Sequence, residues 1–227
     1  MATVLLVRHG LTAMTGPVLA GWTPGVHLDD RGRSQAAALA GRLAKVQVAA
    51  VVASPLERCQ ETAAALVADR DVAVVTDERL GECRYGDWTG QELKQLAKDP
   101  LWKVVQAHPS AAAFPNGEAL RQTQARAVEA VRAHNARLGA DAIWVAVSHG
   151  DVIKAVVADA LGLHLDLFQR IQVDPCSLTV IRYTPLRPFL VRLNDVGGTV
   201  DDLLPPKRRR RRAASSDAPV GGGAGSV

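Results

Sequence analysis

Thr3-Val4-Leu5-Leu6-Val7-Arg8-His9-Gly10 is the stretch from which the rest of the chain can be read. Residues 3–7 form a short apolar, β-rich run, which predicts a buried strand. Two basic side chains stand directly at its end, and Gly10 interrupts the run there. The same layout recurs. Residues 48–53 predict a second strand, which runs out into Ser54-Pro55-Leu56-Glu57-Arg58. Residues 143–147 predict another, followed by Ser148-His149-Gly150. Helical patterns follow each of the last two, over residues 56–68 and up to about residue 161. A further helix is predicted over residues 30–45, with Asp30 as its cap and Ala36, Leu39, Ala40 and Leu43 at helical spacing.

The remaining elements fit this alternation. Residues 72–75 read as a short strand and residues 91–98 as a short helix ending at Pro100. Residues 99–116 hold three prolines and an alanine run, and predict a partly irregular excursion. Residues 117–138 read as a long helix with Leu120, Ala127, Val131 and Leu138 along one side. Residues 177–183 and 189–193 complete the strands. Pro185 and Pro188 between them favour an edge position. Strands alternating with helices imply an α/β fold, a three-layer α/β/α arrangement with a mostly parallel central sheet.

Composition narrows the function classes. Apolar residues make up 48% of the 227 residues, enough for a sizeable core. The formal net charge of +4 comes from the end of the chain: Lys207 and the five arginines after it stand against a single acid, Asp217. That stretch carries +5, so the first 204 residues carry −1 and show no global nucleic-acid footprint. Cys59, Cys83 and Cys176 are odd in number and lack CxxC spacing, which fits a reducing compartment. The start of the chain lacks a charged leader, and the longest apolar runs fall far short of the roughly 20 residues that span a bilayer. The expectation is a cytoplasmic protein without a transmembrane segment, monomeric or homodimeric.

In an open α/β sheet the carboxyl ends of parallel strands gather along one edge, where ligands bind. Arg8, His9, Arg58 and His149 should therefore meet. Taken singly, His9 could cap or pack, Arg58 could lie on a solvated helix face, and His149 could satisfy a strand end. At matched junctions they form a local anion site, to which helix N-termini add backbone donors. The planar fork of arginine suits a tetrahedral phosphate. Gly10 would let a ligand approach closely. There is no HExxH or paired-cysteine pattern, the histidines are scattered, and the arginines would repel a cation; no metal and no cofactor are expected.

These residues resemble the histidine phosphatase superfamily, also called the phosphoglycerate mutase-like family. The matching text runs from Leu6-Val7-Arg8-His9-Gly10 and Thr12 through Gly21-Trp22 and Leu28, Gly32 and Gln35-Ala36. It continues through Ser54-Pro55-Leu56-Glu57-Arg58-Cys59-Gln60-Glu61-Thr62-Ala63 to Leu80-Gly81-Glu82 and Gly86-Asp87-Trp88-Thr89-Gly90. Asn116-Gly117-Glu118 and Ser148-His149-Gly150 close the set, so the resemblance covers about residues 3–195. It implies a phosphoglycerate mutase-like fold with a small helical insertion. It also implies His9 as the nucleophile that becomes phosphohistidine, and Glu82 as proton donor. Arg8, Arg58 and His149, with Gly150 beside it, would bind phosphoryl oxygens. Thr12 and Thr15 would lie along the phosphate loop, although relatives often carry Asn where Thr15 stands.

Within that resemblance the substrate is a small phosphorylated molecule and the reaction is hydrolysis or phosphomutase transfer. Mutases of the family carry Arg directly after the acid and a further arginine pair in the insertion. Here Cys83 follows Glu82 and no arginine occurs between Arg84 and Arg121, which favours hydrolysis. A non-catalytic phospho-ligand binding module is the reading from another class; the full catalytic set speaks against it. Residues 1–204 are expected to form the domain, with residues 84–116 as a substrate cover. Tyr85, Trp88, Trp102 and Phe114 would either line that cover or form a small core of their own. Residues 205–227 are expected to be a disordered basic and Gly/Ser/Ala tail. It has no aromatic residue for base stacking, so specific nucleic-acid binding is not expected, only weak contact with anionic surfaces.

Overall fold

The structure, a computed structural model, describes residues 2–198 together with Gly221 and Gly223. In chain order the elements are β1 (Ala2–Arg8), α1 (Asp30–Leu43), β2 (Ala50–Ala53), α2 (Glu57–Val67), β3 (Val74–Thr76), α3 (Leu93–Leu96), α4 (Pro100–Ala107), α5 (Leu120–Leu138), β4 (Ile143–Ser148), α6 (Gly150–Ala160), β5 (Leu178–Tyr183) and β6 (Pro188–Asp195). The strands form one sheet in the order β3-β2-β4-β1-β5-β6. β3, β2, β4 and β1 run parallel, whereas β5 and β6 are antiparallel additions. The sheet is thus mixed, with its parallel part at the site, and β6 takes the edge that its flanking prolines predicted.

Side-chain alternation along the strands builds the layers. Val4 and Leu6 of β1, Val52 of β2 and Trp144 and Ala146 of β4 pack with Ala127 and Val131 of α5 and with Ile153, Val156 and Val157 of α6. Their neighbours Leu5, Val7, Val51, Ala53, Val145 and Val147 point the other way, onto Ala36, Leu39 and Leu43 of α1 and Cys59, Ala63 and Leu66 of α2. Burial on both faces explains why these strands are continuously apolar rather than amphipathic.

Three local expectations change. The cap of α1 is Asp29, whose carboxylate accepts from the Gly32 backbone N–H, and Asp30 is the first helical residue. α3 is a single turn, shorter than predicted. Residues 100–107, expected to be irregular, form α4. Its Pro100 begins the helix rather than stopping the one before, because the Asp99 side chain accepts from the Leu101 N–H and proline's missing donor costs nothing in the first turn. Of the two readings offered for Tyr85, Trp88, Trp102 and Phe114, the core one holds, since all four are buried. Tyr85 and Trp88 each meet Phe114 edge-on, at 5.0 and 5.2 Å between centroids. These rings belong to a hydrophobic core within the insertion.

One close approach fixes the loop after β1. A Cβ added to Gly32 would lie 2.1 Å from the Leu11 carbonyl oxygen, and one added to Gly10 would lie 2.6 Å from the Gly32 carbonyl oxygen. Gly10 is therefore required by the packing of α1 beneath the loop, and not by ligand approach as the sequence suggested. Helix propensity alone would make Gly32→Ala stabilising by about 1 kcal/mol. The backbone clash reverses the sign: Gly32→Ala should lose about 1–3 kcal/mol, the usual cost of overpacking. Thermal denaturation measures this, and an unchanged or raised melting temperature would contradict it.

Candidate active site

The ends of β1, β2 and β4 lie level. Arg8 pairs with Ser148 and Ala53 with Val147 at the last rungs of the ladder. The His9 N–H donates to the Ser148 carbonyl and the Ser54 N–H to the Val147 carbonyl, both at 3.0 Å. The chain therefore leaves each strand at the same height, and Arg8, His9, Arg58, Glu82 and His149 come together, each at most 6% exposed.

The hydrogen bonds of His9 assign its protons. Nδ1 lies 2.7 Å from the Gly10 carbonyl oxygen, which can only accept, so Nδ1 carries the hydrogen. Nε2 is then the free lone pair, and Arg58 Nε donates to it at 3.3 Å. Burial first, then the charges of Arg58 and Arg8, hold the His9 pKa well below the ordinary histidine range. The neighbouring cations do lower it as expected, but desolvation is the larger cause.

Arg58 is spread over the site. Its Nη2 donates to the Gly21 carbonyl at 2.7 Å and lies 3.3 Å from His149 Nδ1. Its Nη1 is buried with no hydrogen-bond partner among the described residues. Such a donor costs free energy unless something occupies the space in front of it. Arg8 Nη1 donates to the Val173 carbonyl at 2.9 Å.

His149 is placed by two hydrogen bonds. Arginine can only donate to its Nδ1, so Nε2 bears the hydrogen and donates to Ser54 Oγ at 2.8 Å. Burial, then Arg58, keeps its pKa well below the ordinary value. Burial and the Arg58 charge thus both work against a positive charge on this ring, beside two guanidinium groups.

Glu82 is set from behind. Trp22 Nε1 and Arg126 Nη2 both donate to its backbone carbonyl, at 2.6 and 2.9 Å. Arg126 also donates to the carbonyls of Arg79 and Gly81 and is itself ion-paired to Glu118 at 2.5 Å. Its carboxylate lies 3.9 Å from His149 Nδ1. Burial, reinforced by the Asp151 carboxylate, pushes the Glu82 pKa up to about 7.

The open pocket is lined by Arg8, His9, Thr12, Thr15, Arg58 and Glu82, with Leu19 and Leu93 on its apolar side. The hydroxyls of Thr12 and Thr15 bond each other at 2.9 Å. Gly150 is the buried first residue of α6, and neither it nor His149 is among the lining residues, although the His149 ring lies 5.2 Å from that of His9. Sequence reasoning did not assign roles to Gly21, Trp22, Ser54, Arg126 or Asp151. Gly21, Trp22 and Ser54 stood inside the matched motifs. Arg126 carried no signal, being an ordinary helical arginine until the fold turns it under Glu82. Gly221 and Gly223, which lie within the stretch read as a separate tail, are among the residues that line this pocket. The arginine run lies outside the described residues.

The chain belongs to the Histidine phosphatase superfamily (branch 1), whose profile matches residues 4–196. It is 49% identical over 79 residues to the Mycobacterium tuberculosis protein Rv0525, a match covering 35% of this chain and 39% of that protein's length. It is 32% identical over 170 residues to glucosyl-3-phosphoglycerate phosphatase of Mycolicibacterium vanbaalenii, covering 72% of this chain and 76% of that protein. Among solved structures, Bacillus stearothermophilus YhfR superposes with a TM-score of 0.78 at 29% identity, over 87% of this chain and 98% of that one.

The opposed shifts of His9 and Glu82 predict the pH profile. His9 stays unprotonated down to acidic pH, while the Glu82 carboxyl holds its proton below about pH 7 and loses it above. On alkyl phosphates, whose leaving oxygen needs a proton, kcat/KM should fall as pH rises through about 7. A Glu82→Gln variant should lose that limb. A pH–rate series on both proteins checks it, and a limb that persists in the variant would mean another group titrates.

Proposed function

We propose that the protein is a phosphomonoester hydrolase working through a phosphohistidine on His9, with Glu82 as proton donor. The observation that carries this reading is the unprotonated Nε2 of His9, which accepts from Arg58 Nε at 3.3 Å, together with the buried Arg58 Nη1, which has no hydrogen-bond partner among the described residues. A phosphoryl group brought to that nitrogen offers oxygens to the waiting donor. Nε2 attacks phosphorus, the bond to the leaving oxygen breaks, and the Glu82 proton goes to that oxygen. Water then attacks the phosphohistidine, and the Glu82 carboxylate takes a proton from it. Phosphate leaves and the starting state returns.

Arg8, Arg58 and His149 bind the transferring group, His149 as a neutral donor once its hydrogen moves to face it. Thr12 and Thr15 flank it, and Gly150 starts the helix behind it. Catalysis of this kind rests on in-line positioning and charge stabilisation, and the reading needs no metal or cofactor. The substrate is a small phosphorylated metabolite of the cytoplasm. Hydrolysis is preferred to mutase transfer because the cations lining the pocket among the described residues are Arg8 and Arg58, both taken up by one phosphoryl group. Residues 84–116 contribute to a cover through Leu93.

His9→Ala should abolish turnover of p-nitrophenyl phosphate and the acid-labile, alkali-stable phosphate trapped on the parent enzyme. Arg58→Ala should retain some activity but lose about 10²–10³ in kcat, the usual effect of removing one preorganised donor. Rapid-quench labelling with a radioactive phosphomonoester separates the cases; label retained by His9→Ala would place the nucleophile elsewhere.

A further inference from the structure

The pocket already holds part of this chain. The carbonyl oxygen of Gly223 accepts from Arg8 Nη1 at 2.6 Å. The N–H of Gly221 donates to Asp151 Oδ2 at 3.0 Å, an oxygen that also accepts from the Tyr85 hydroxyl at 2.9 Å. Both glycines line the same cavity as His9, Arg58 and Glu82. We propose that Gly221 and Gly223 form an intrasteric plug, in which these two glycines of the chain itself occupy the substrate mouth and compete with the phosphoryl group for Arg8. The proposal rests on the phosphate-site reading above.

The contacts are those of a substrate surrogate. A carbonyl oxygen stands where Arg8 would meet an anionic oxygen, and the fully buried Asp151 accepts from the Gly221 N–H. The confined passage explains why the segment is glycine. Gly221 has φ +73°, and a Cβ there would lie 2.8 Å from Leu19 Cδ1. A side chain would therefore face both backbone strain and the apolar wall of the pocket.

The plug is built to yield. A neutral carbonyl is a weaker acceptor for a guanidinium than a phosphoryl oxygen, because charge-assisted hydrogen bonds are roughly twice as strong as neutral ones. Tethering compensates: a segment on the same chain faces its site at an effective concentration of about millimolar order. A phosphorylated substrate then binds only the unplugged fraction, and its apparent affinity falls by that fraction. The segment would raise KM and leave the chemical step alone.

The test compares the full-length protein with full-length Gly221→Val. Inorganic phosphate binding is measured by calorimetry, with p-nitrophenyl phosphate kinetics beside it. Opening a site plugged about 70–90% of the time should lower both the phosphate dissociation constant and KM about 3–10-fold, with kcat and melting temperature unchanged. A synthetic peptide spanning residues 217–227 should inhibit the variant competitively. Equal phosphate affinity in the two proteins would overturn the plug and leave the phosphate site standing. Weaker binding or a lower kcat in the variant would also overturn it, by showing that the segment completes the site. Failure of both proteins to bind phosphate would remove the phosphate-site reading itself, and the plug with it.

Discussion

Parallel pairing of β4 with both β1 and β2 is the constraint on which the site depends. β4 is the shared neighbour, so its register sets the height at which both flanking strands end. A slip of one residue would turn every side chain of a strand to the opposite face. It would exchange the helix pair each strand packs against and carry His9 away from Arg58. Two-sided burial makes such a slip costly, because Val4 and Leu6 belong to one core and Leu5 and Val7 to the other. The same hydrophobic contacts that hold the layers together thus set the distance between nucleophile and clamp.

Burial then does the electrostatic tuning. It favours the neutral form of every titratable group, lowering the histidines and raising the carboxyl. His9, His149 and Glu82 shift in the directions this requires, with desolvation the largest cause in each. Guanidinium groups cannot be neutralised in this way at any ordinary pH. Burial thus works against charge on the two imidazoles and the carboxyl that stand beside the two guanidinium groups. A phosphoryl dianion supplies the charge that balances them. Asp151 reinforces Glu82 while being paired itself, to Lys154 at 3.4 Å, so it raises the neighbouring carboxyl without standing as an unpaired charge.

The sequence was most legible where chemistry and periodicity coincide. Strand-end residues such as Arg8, His9 and His149 stand directly after apolar runs, so the topology of the sheet brings them together on paper. Contacts made by backbone atoms left no such trace: the carbonyls of Gly10, Gly21 and Val173 orient His9, Arg58 and Arg8, and any residue type carries a carbonyl. Arg126 was hidden because its role depends on α5 crossing beneath residues 79–82. α4 was missed because Pro100 was taken as a stop, when proline is equally suited to begin a helix. Glycines misled twice. Gly10 serves helix packing rather than a ligand, and Gly221 and Gly223 looked like mere composition until their contacts were seen.

The wall beyond the phosphoryl clamp bears on the choice between hydrolysis and transfer. Thr12, Thr15, Val18, Leu19, Ala20 and Leu93 line it, and none carries charge. A mutase must retain an intermediate with a second anionic group while it turns over in the site, and that needs a second fixed cation. In the proposed mechanism a product on this wall, neutral among the described residues, would be held by shape and neutral hydrogen bonds and would leave once its oxygen is protonated. Water would then reach the phosphohistidine before the product could return. The same wall makes the remainder of the substrate a matter of fit rather than charge. A neutral peptide segment, matched in width by having no side chains, is the kind of occupant such a mouth admits.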